Sequence, residues 1–95
     1  MAFYVYILKS LRDQSYYKGF TENPIIRLER HNNAESKYTR NKIPWKLVYL
    51  EYFEQKKEAL VREKHLKKYS HLQIEQLIRS RLNGISELGD FDSAD

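Results

Sequence analysis

Two short runs of aromatic and branched residues near the start of the chain limit its fold more than any other stretch. Phe3-Tyr4-Val5-Tyr6-Ile7-Leu8 is built of residues that suit a pleated sheet and is apolar at both parities. A strand of that kind is covered on both faces. Ser10 to Ser15 is polar and suits a loop between antiparallel strands. Tyr16-Tyr17-Lys18-Gly19-Phe20 is the second strand. Tyr4, Tyr6, Tyr16 and Tyr17 fall within these two runs, and each phenol needs a partner if it is buried. Taken alone, the stretch describes a sheet core edged with hydroxyls.

The rest of the chain supplies cover for that sheet. Asn23-Pro24 is a good N-cap followed by a good first helical residue, which predicts a helix to about Asn33. Its apolar positions are Pro24, Ile25 and Leu28, and Arg27 and His31, four apart, lie together at the border of that stripe. Ala34 to Pro44 reads as a long ordered loop carrying Lys37, Tyr38, Thr39, Arg40 and Lys42. Trp45 to Phe53 is a third strand, apolar on both faces and so expected at the centre of the sheet. Gln55 to Tyr69 is a second helix, in which Ala59, Glu63 and Leu66 share the inward face while Arg62 and Lys64 fall outside it. Ser70-His71-Leu72-Gln73 matches a capping box and opens a third helix. Its candidate core is Leu72, Ile74, Leu77 and Ile78, and it ends near Asn83-Gly84. The expected fold is α+β: a small three-stranded antiparallel sheet flanked by helices, in the order β-β-α-β-α-α.

Ninety-five residues make one domain. The expected division is a body of residues 1–83 and an acidic, mobile tail over 84–95. The net charge is +4, but Glu87, Asp90, Asp92 and Asp95 all lie in that tail; without them 17 basic face 9 acidic residues, a net of +8. A small basic body suits a polyanionic partner. With no cysteine, disulfides and thiolate metal sites are excluded. The composition predicts a soluble, cytoplasmic protein with no membrane association, and a monomer is the simplest expectation, with Trp45 and the surplus tyrosines as a candidate dimer surface.

Five polar residues are aimed at the sheet: Tyr6, Tyr17, Arg27, His31 and Glu63. A short carboxylate facing inward is costly unless a cation or several donors meet it. Glu63 is therefore either half of an ion pair, with Arg27 or another base, or a metal ligand. The set has what phosphodiester hydrolysis needs. Arg binds two phosphate oxygens with a permanent charge. A lone carboxylate with water and substrate oxygens is a common way to hold Mg²⁺. Tyr or His can take or relay a proton from water.

The ordered motifs resemble the GIY-YIG nucleases. Tyr4-Val5-Tyr6 and Tyr17-Lys18-Gly19 stand where that family has its paired signature, with Tyr4 in place of the first Gly and Lys18 in place of the second Ile. Arg27…His31-Asn32, Ser36-Lys37-Tyr38-Thr39, Lys46-Leu47-Val48-Tyr49 and Ala59…Arg62-Glu63 continue the likeness over roughly residues 3 to 80, nearest the small single-domain bacterial members. The resemblance implies Tyr6, Tyr17, Arg27 and His31 as catalytic residues, and Glu63 as ligand of one Mg²⁺ or Mn²⁺ ion. It further implies that Tyr6 or His31 activates water while Arg27 stabilises the phosphorus centre. Lys18, Lys37, Tyr38, Arg40 and Lys42 are expected to contact DNA. With no room for a recognition domain, the expected activity is a metal-dependent DNA endonuclease of low sequence specificity, acting in repair or processing on nicked, branched or single-stranded DNA. The alternative is a basic nucleic-acid-binding module with weak or no turnover.

Overall fold

A computed structural model of the chain describes residues 2–88. Strands β1 (Phe3–Ser10) and β2 (Tyr16–Thr21) are followed by helix α1 (Pro24–Asn32), strand β3 (Trp45–Phe53), and helices α2 (Lys56–Leu66) and α3 (His71–Ile78). Short 3₁₀ turns occupy Arg40–Lys42 and Ile85–Leu88. The fold is the expected α+β arrangement. Its sheet runs β2-β1-β3, antiparallel throughout. The central strand is β1, not β3 as its two apolar faces suggested; β3 is apolar on both sides because both layers of helix reach it.

Alternation along β1 divides the core. Val5 and Ile7 join Tyr49, Ala59, Leu66, Ile74 and Leu77, so α2 and α3 cover that face. Tyr6 and Leu8 join Trp45, Leu47 and Leu50, with Leu28 of α1 and Ile85 against them. An irregularity between Ile7 and Leu8 pairs them with Tyr49 and Leu47 and leaves Val48 between. That extra residue keeps Tyr49 on one face and Leu47 on the other. Each large side chain fully withdrawn from water contributes about 1.5–3 kcal/mol.

Local chemistry sets the helix starts as the sequence predicts. Asn23 Oδ1 accepts the Ile26 N–H at 3.1 Å. Ser70 Oγ accepts the Gln73 N–H at 3.2 Å while Gln73 Oε1 accepts the Ser70 N–H at 2.7 Å. Such caps are worth about 0.5–2 kcal/mol each. The helix ends fall early. Helix α2 stops at Leu66 rather than Tyr69, and α3 at Ile78 rather than near Asn83. Ser80 ends α3: its hydroxyl donates to the Leu77 carbonyl at 2.7 Å and accepts the Leu82 N–H at 3.2 Å. Ile25 and Leu72 are exposed rather than core, because α1 and α3 turn neighbouring faces to the sheet. Trp45 is buried, with its Nε1–H on the Thr39 carbonyl at 2.9 Å, and so offers no dimer surface.

Two polar clusters hold the far edge of the sheet. Asn83 Nδ2 donates to the carbonyls of Val48 (2.9 Å) and Ile78 (2.8 Å), and its Oδ1 accepts from Leu50 N (3.2 Å) and Ile85 N (3.1 Å). Through it the outer edge of β3 is capped rather than left open. The Gly84 N–H also donates to the Leu50 carbonyl at 2.7 Å. The expected tail thus begins among residues packed on β3, and residues 89–95 of it lie outside the described residues. On α2, Arg62 is not outward-facing: its Nε donates to Glu51 Oε1 at 2.9 Å, which also accepts the Tyr49 hydroxyl at 2.6 Å. The long arginine stem lets a charge at the edge of the stripe reach inward.

Candidate active site

The phenol of Tyr6 is the centre of the site. Tyr6 faces Gly19 across the β1–β2 ladder, and its ring lies over that glycine. A Cβ at Gly19 would stand 2.7 Å from Tyr6 Cε1 and closer still to Cζ and the hydroxyl. Only a residue without a side chain lets the ring cross β2. The motif's glycine is therefore required for space, not for an unusual backbone.

Helix α1 delivers two partners to that hydroxyl. Arg27 Nε donates to the Tyr6 oxygen at 3.3 Å, and His31 Nε2 lies 3.0 Å from it. The i, i+4 spacing puts both side chains one above the other, as the sequence predicts. His31 is not at the border of the stripe, however: it is fully buried. Burial is tolerated because its second nitrogen is also partnered, Nδ1 lying 2.8 Å from Thr39 Oγ1. Thr39 sits in the loop after α1. Asn32 braces the same corner, accepting the Trp45 N–H at 2.7 Å and donating to the Trp45 carbonyl at 3.0 Å.

Tyr17 pairs with Leu8, on the same face as Tyr6, and completes an aromatic wall. Its ring centroid lies 6.3 Å from that of Tyr6 and 4.9 Å from that of His31. Its phenol also acts on the Arg27 guanidinium. Glu63 comes from α2, on the opposite side of the sheet. It makes no hydrogen bond to the four, and its ion-pair partner is Lys67 Nζ at 3.5 Å, not Arg27. Its charge nevertheless acts on the Tyr6 phenol.

Electrostatics sets the protonation states. Burial pushes the Tyr6 phenol up to about 12, and the Arg27 hydrogen bond only partly opposes it. Burial, then the Arg27 charge, pushes His31 down to about 4. At neutral pH the pair is a protonated phenol beside a neutral imidazole that has a lone pair to offer. Burial works against the Arg27 charge, but its hydrogen bond to Tyr6 holds its proton more tightly than usual.

The residues expected to meet nucleic acid divide into two groups. Lys37, Tyr38 and Arg40 are exposed, Tyr38 at 85 %, in the loop whose buried Thr39 touches His31. Lys42 is engaged elsewhere, with Asp13 Oδ2 at 3.2 Å and Ser15 Oγ at 3.2 Å, and ties this loop to the β1–β2 turn. Lys18 pairs with Ile7 and so projects from the α2 face, opposite Tyr6 and Tyr17, where burial lowers its affinity for the proton. Three residues do more in this structure than their sequence context shows. Gly19 is visible only as a motif letter, Thr39 only as one polar loop residue, and Asn83, expected as a helix end, clips the far edge of the sheet.

Fold and site together define a GIY-YIG catalytic domain: residues 2–74 match that family, and the chain belongs to it. Its relatives include a UPF0213 protein of Clostridium perfringens, 51 % identical over 79 residues that span 82 % of this chain and 84 % of the relative. A UPF0213 protein of Bacillus licheniformis is 43 % identical over 79 residues, 82 % of this chain and 80 % of the relative. The solution NMR structure of a UPF0213 protein from Bacillus halodurans superposes with a TM-score of 0.56 at 33 % identity, covering 96 % of this chain and 97 % of that one. Among the described residues no helix is long and apolar enough to cross a membrane.

Proposed function

We propose that residues 1–83 form a basic nucleic-acid-binding module whose GIY-YIG pocket hydrolyses DNA phosphodiester bonds. Family membership and charge support the binding module; turnover is our step beyond them. The observation that carries it is the convergence of Arg27 Nε and His31 Nε2 on one buried phenol oxygen. Binding alone does not require a buried tyrosine–histidine–threonine chain, which is costly to assemble in a small core.

In this reading the guanidinium of Arg27 holds an oxygen of the scissile phosphate. Water attacks phosphorus, the new P–O bond forms and the bond to the leaving oxygen breaks. The proton of water passes to Tyr6 or His31, the phenol being able to give its own to His31 Nε2. Tyr17 packs beside both rings and fixes their approach. One Mg²⁺ or Mn²⁺ would be held at Glu63, a single carboxylate 18 % exposed, which would first have to leave its ion pair with Lys67. Among the described residues no group of three or more His, Cys, Asp or Glu forms a closed cage, so Glu63, with water and substrate oxygens, would hold the ion. Such an ion, when bound, neutralises charge on the leaving oxygen. Lys37 and Arg40 contact the DNA backbone and Tyr38 stacks on an unpaired base, which favours nicked, branched or single-stranded DNA and little sequence preference.

A second reading, a module that binds without turnover, is favoured by two observations: the pocket holds Tyr6 as a phenol, and Glu63 is paired with Lys67. Plasmid nicking in Mg²⁺ or Mn²⁺ separates the two, with Arg27→Ala and Glu63→Ala as variants and salt-dependent DNA binding measured alongside. Hydrolysis predicts nicking by the wild type and loss in both variants. Salt-sensitive binding with no nicking in either metal leaves the binding module only.

A further inference from the structure

Thr39 is 1 % exposed, and among the described residues its hydroxyl has one hydrogen-bond partner, His31 Nδ1 at 2.8 Å. Its position is not incidental. Its carbonyl accepts the Trp45 Nε1–H at 2.9 Å and its N–H donates to the Ser36 carbonyl at 3.3 Å, so the backbone is held from both sides. At the other end of the imidazole, Nε2 lies 3.0 Å from a Tyr6 oxygen that also accepts Arg27 Nε–H.

A neutral imidazole carries one hydrogen, and two arrangements are open. With the hydrogen on Nδ1, the ring donates to Thr39 and Nε2 accepts the phenol proton; the Thr39 proton is then left without an acceptor. With the hydrogen on Nε2, Thr39 donates to Nδ1, and the phenol proton is left instead, because Arg27 can only donate. Each arrangement strands one hydroxyl proton in a buried place. A phenol is a far stronger acid than an alcohol, hence the stronger donor, and stranding it costs more. The first arrangement wins.

We infer that Thr39 is a positioning residue: its buried hydroxyl accepts the Nδ1–H of His31 and so keeps Nε2 bare toward the Tyr6 phenol. Tyr6, His31 and Thr39 form one chain in which the imidazole is oriented to receive the phenol's proton. The hydrogen assignment stands on hydrogen bonding alone; its effect on turnover rests on the hydrolytic reading above.

Long-range proton–nitrogen spectra of protein with nitrogen-labelled histidine, near neutral pH, test this in the wild type, Thr39→Val and Thr39→Ser. The wild type should show His31 protonated at Nδ1 and bare at Nε2. Thr39→Val should lose the protected Nδ1–H signal and slow single-turnover cleavage about tenfold or more at unchanged DNA affinity, as loss of a group that orients a functional histidine does elsewhere. Thr39→Ser should restore both. Wild-type His31 protonated at Nε2 overturns the inference, as does a Thr39→Val protein that keeps the protected Nδ1–H. The ring signals need no turnover, so a wild type that cleaves nothing removes the hydrolytic reading while the spectra still decide the role of Thr39.

Discussion

Gly19→Ala tests the geometry of the site at its narrowest point. The added methyl would stand 2.7 Å from Tyr6 Cε1, and nearer to Cζ and the hydroxyl, where ordinary contact begins at 3.4 Å. The ring must therefore give by about 0.7 Å or more, the difference between those two distances. It has little room to do so: Tyr6 is packed with Leu8, Trp45, Leu47 and Leu50, and its hydroxyl is already bonded to Arg27 and His31. Overpacking of this kind costs about 1–3 kcal/mol of stability. A displacement near 1 Å at a reacting group costs about 100-fold in rate. Urea unfolding should thus show a lowered midpoint, and single-turnover nicking should slow by about two orders of magnitude while DNA affinity is kept. A Gly19→Ala protein with wild-type nicking and wild-type stability would refute the argument that the glycine exists to let the phenol cross β2.

Stability should also depend on pH through His31. Its folded pKa, about 4, lies below the ordinary 6.5. The unfolded chain therefore takes up the proton first, and stability present above about pH 6.5 is lost as the pH falls toward 4, at a slope of up to about 1.4 kcal/mol per unit. Urea midpoints across that range should show the fall in the wild type and a smaller one in His31→Gln; equal falls would contradict it. Asn83→Ala removes four hydrogen bonds at the edge of β3 and should cost about 1–3 kcal/mol, with faster hydrogen exchange at the Leu50 amide. Unchanged exchange there would show the clip to be idle.

Much of the fold was legible because its signals are local. Asn23-Pro24 and the Ser70…Gln73 box each carry their own helix start, and apolar runs of strand length mark β1 and β3. Arg27 and His31 were legible as a pair because helical spacing alone brings them together. What escaped is what depends on register and long-range packing. That β1 and not β3 is central follows from pairing partners, which neither strand's own pattern reveals. Periodicity puts Arg62 outside, yet a flexible stem carries its charge to Glu51. Thr39 gave no signal, since a threonine in a basic loop looks like any solvated residue until Trp45 and His31 close on it. The need for glycine at position 19 likewise exists only because Tyr6 stands opposite.

The most direct test of the account is Tyr6→Phe. The ring, its packing and its crossing over Gly19 are retained; only the oxygen on which Arg27 and His31 converge is removed. Single-turnover cleavage of nicked or branched DNA in Mg²⁺, with DNA affinity measured in parallel, reads the result. Binding should be unchanged and the cleavage rate lowered about 10²- to 10⁴-fold. Cleavage by Tyr6→Phe at the wild-type rate would contradict it.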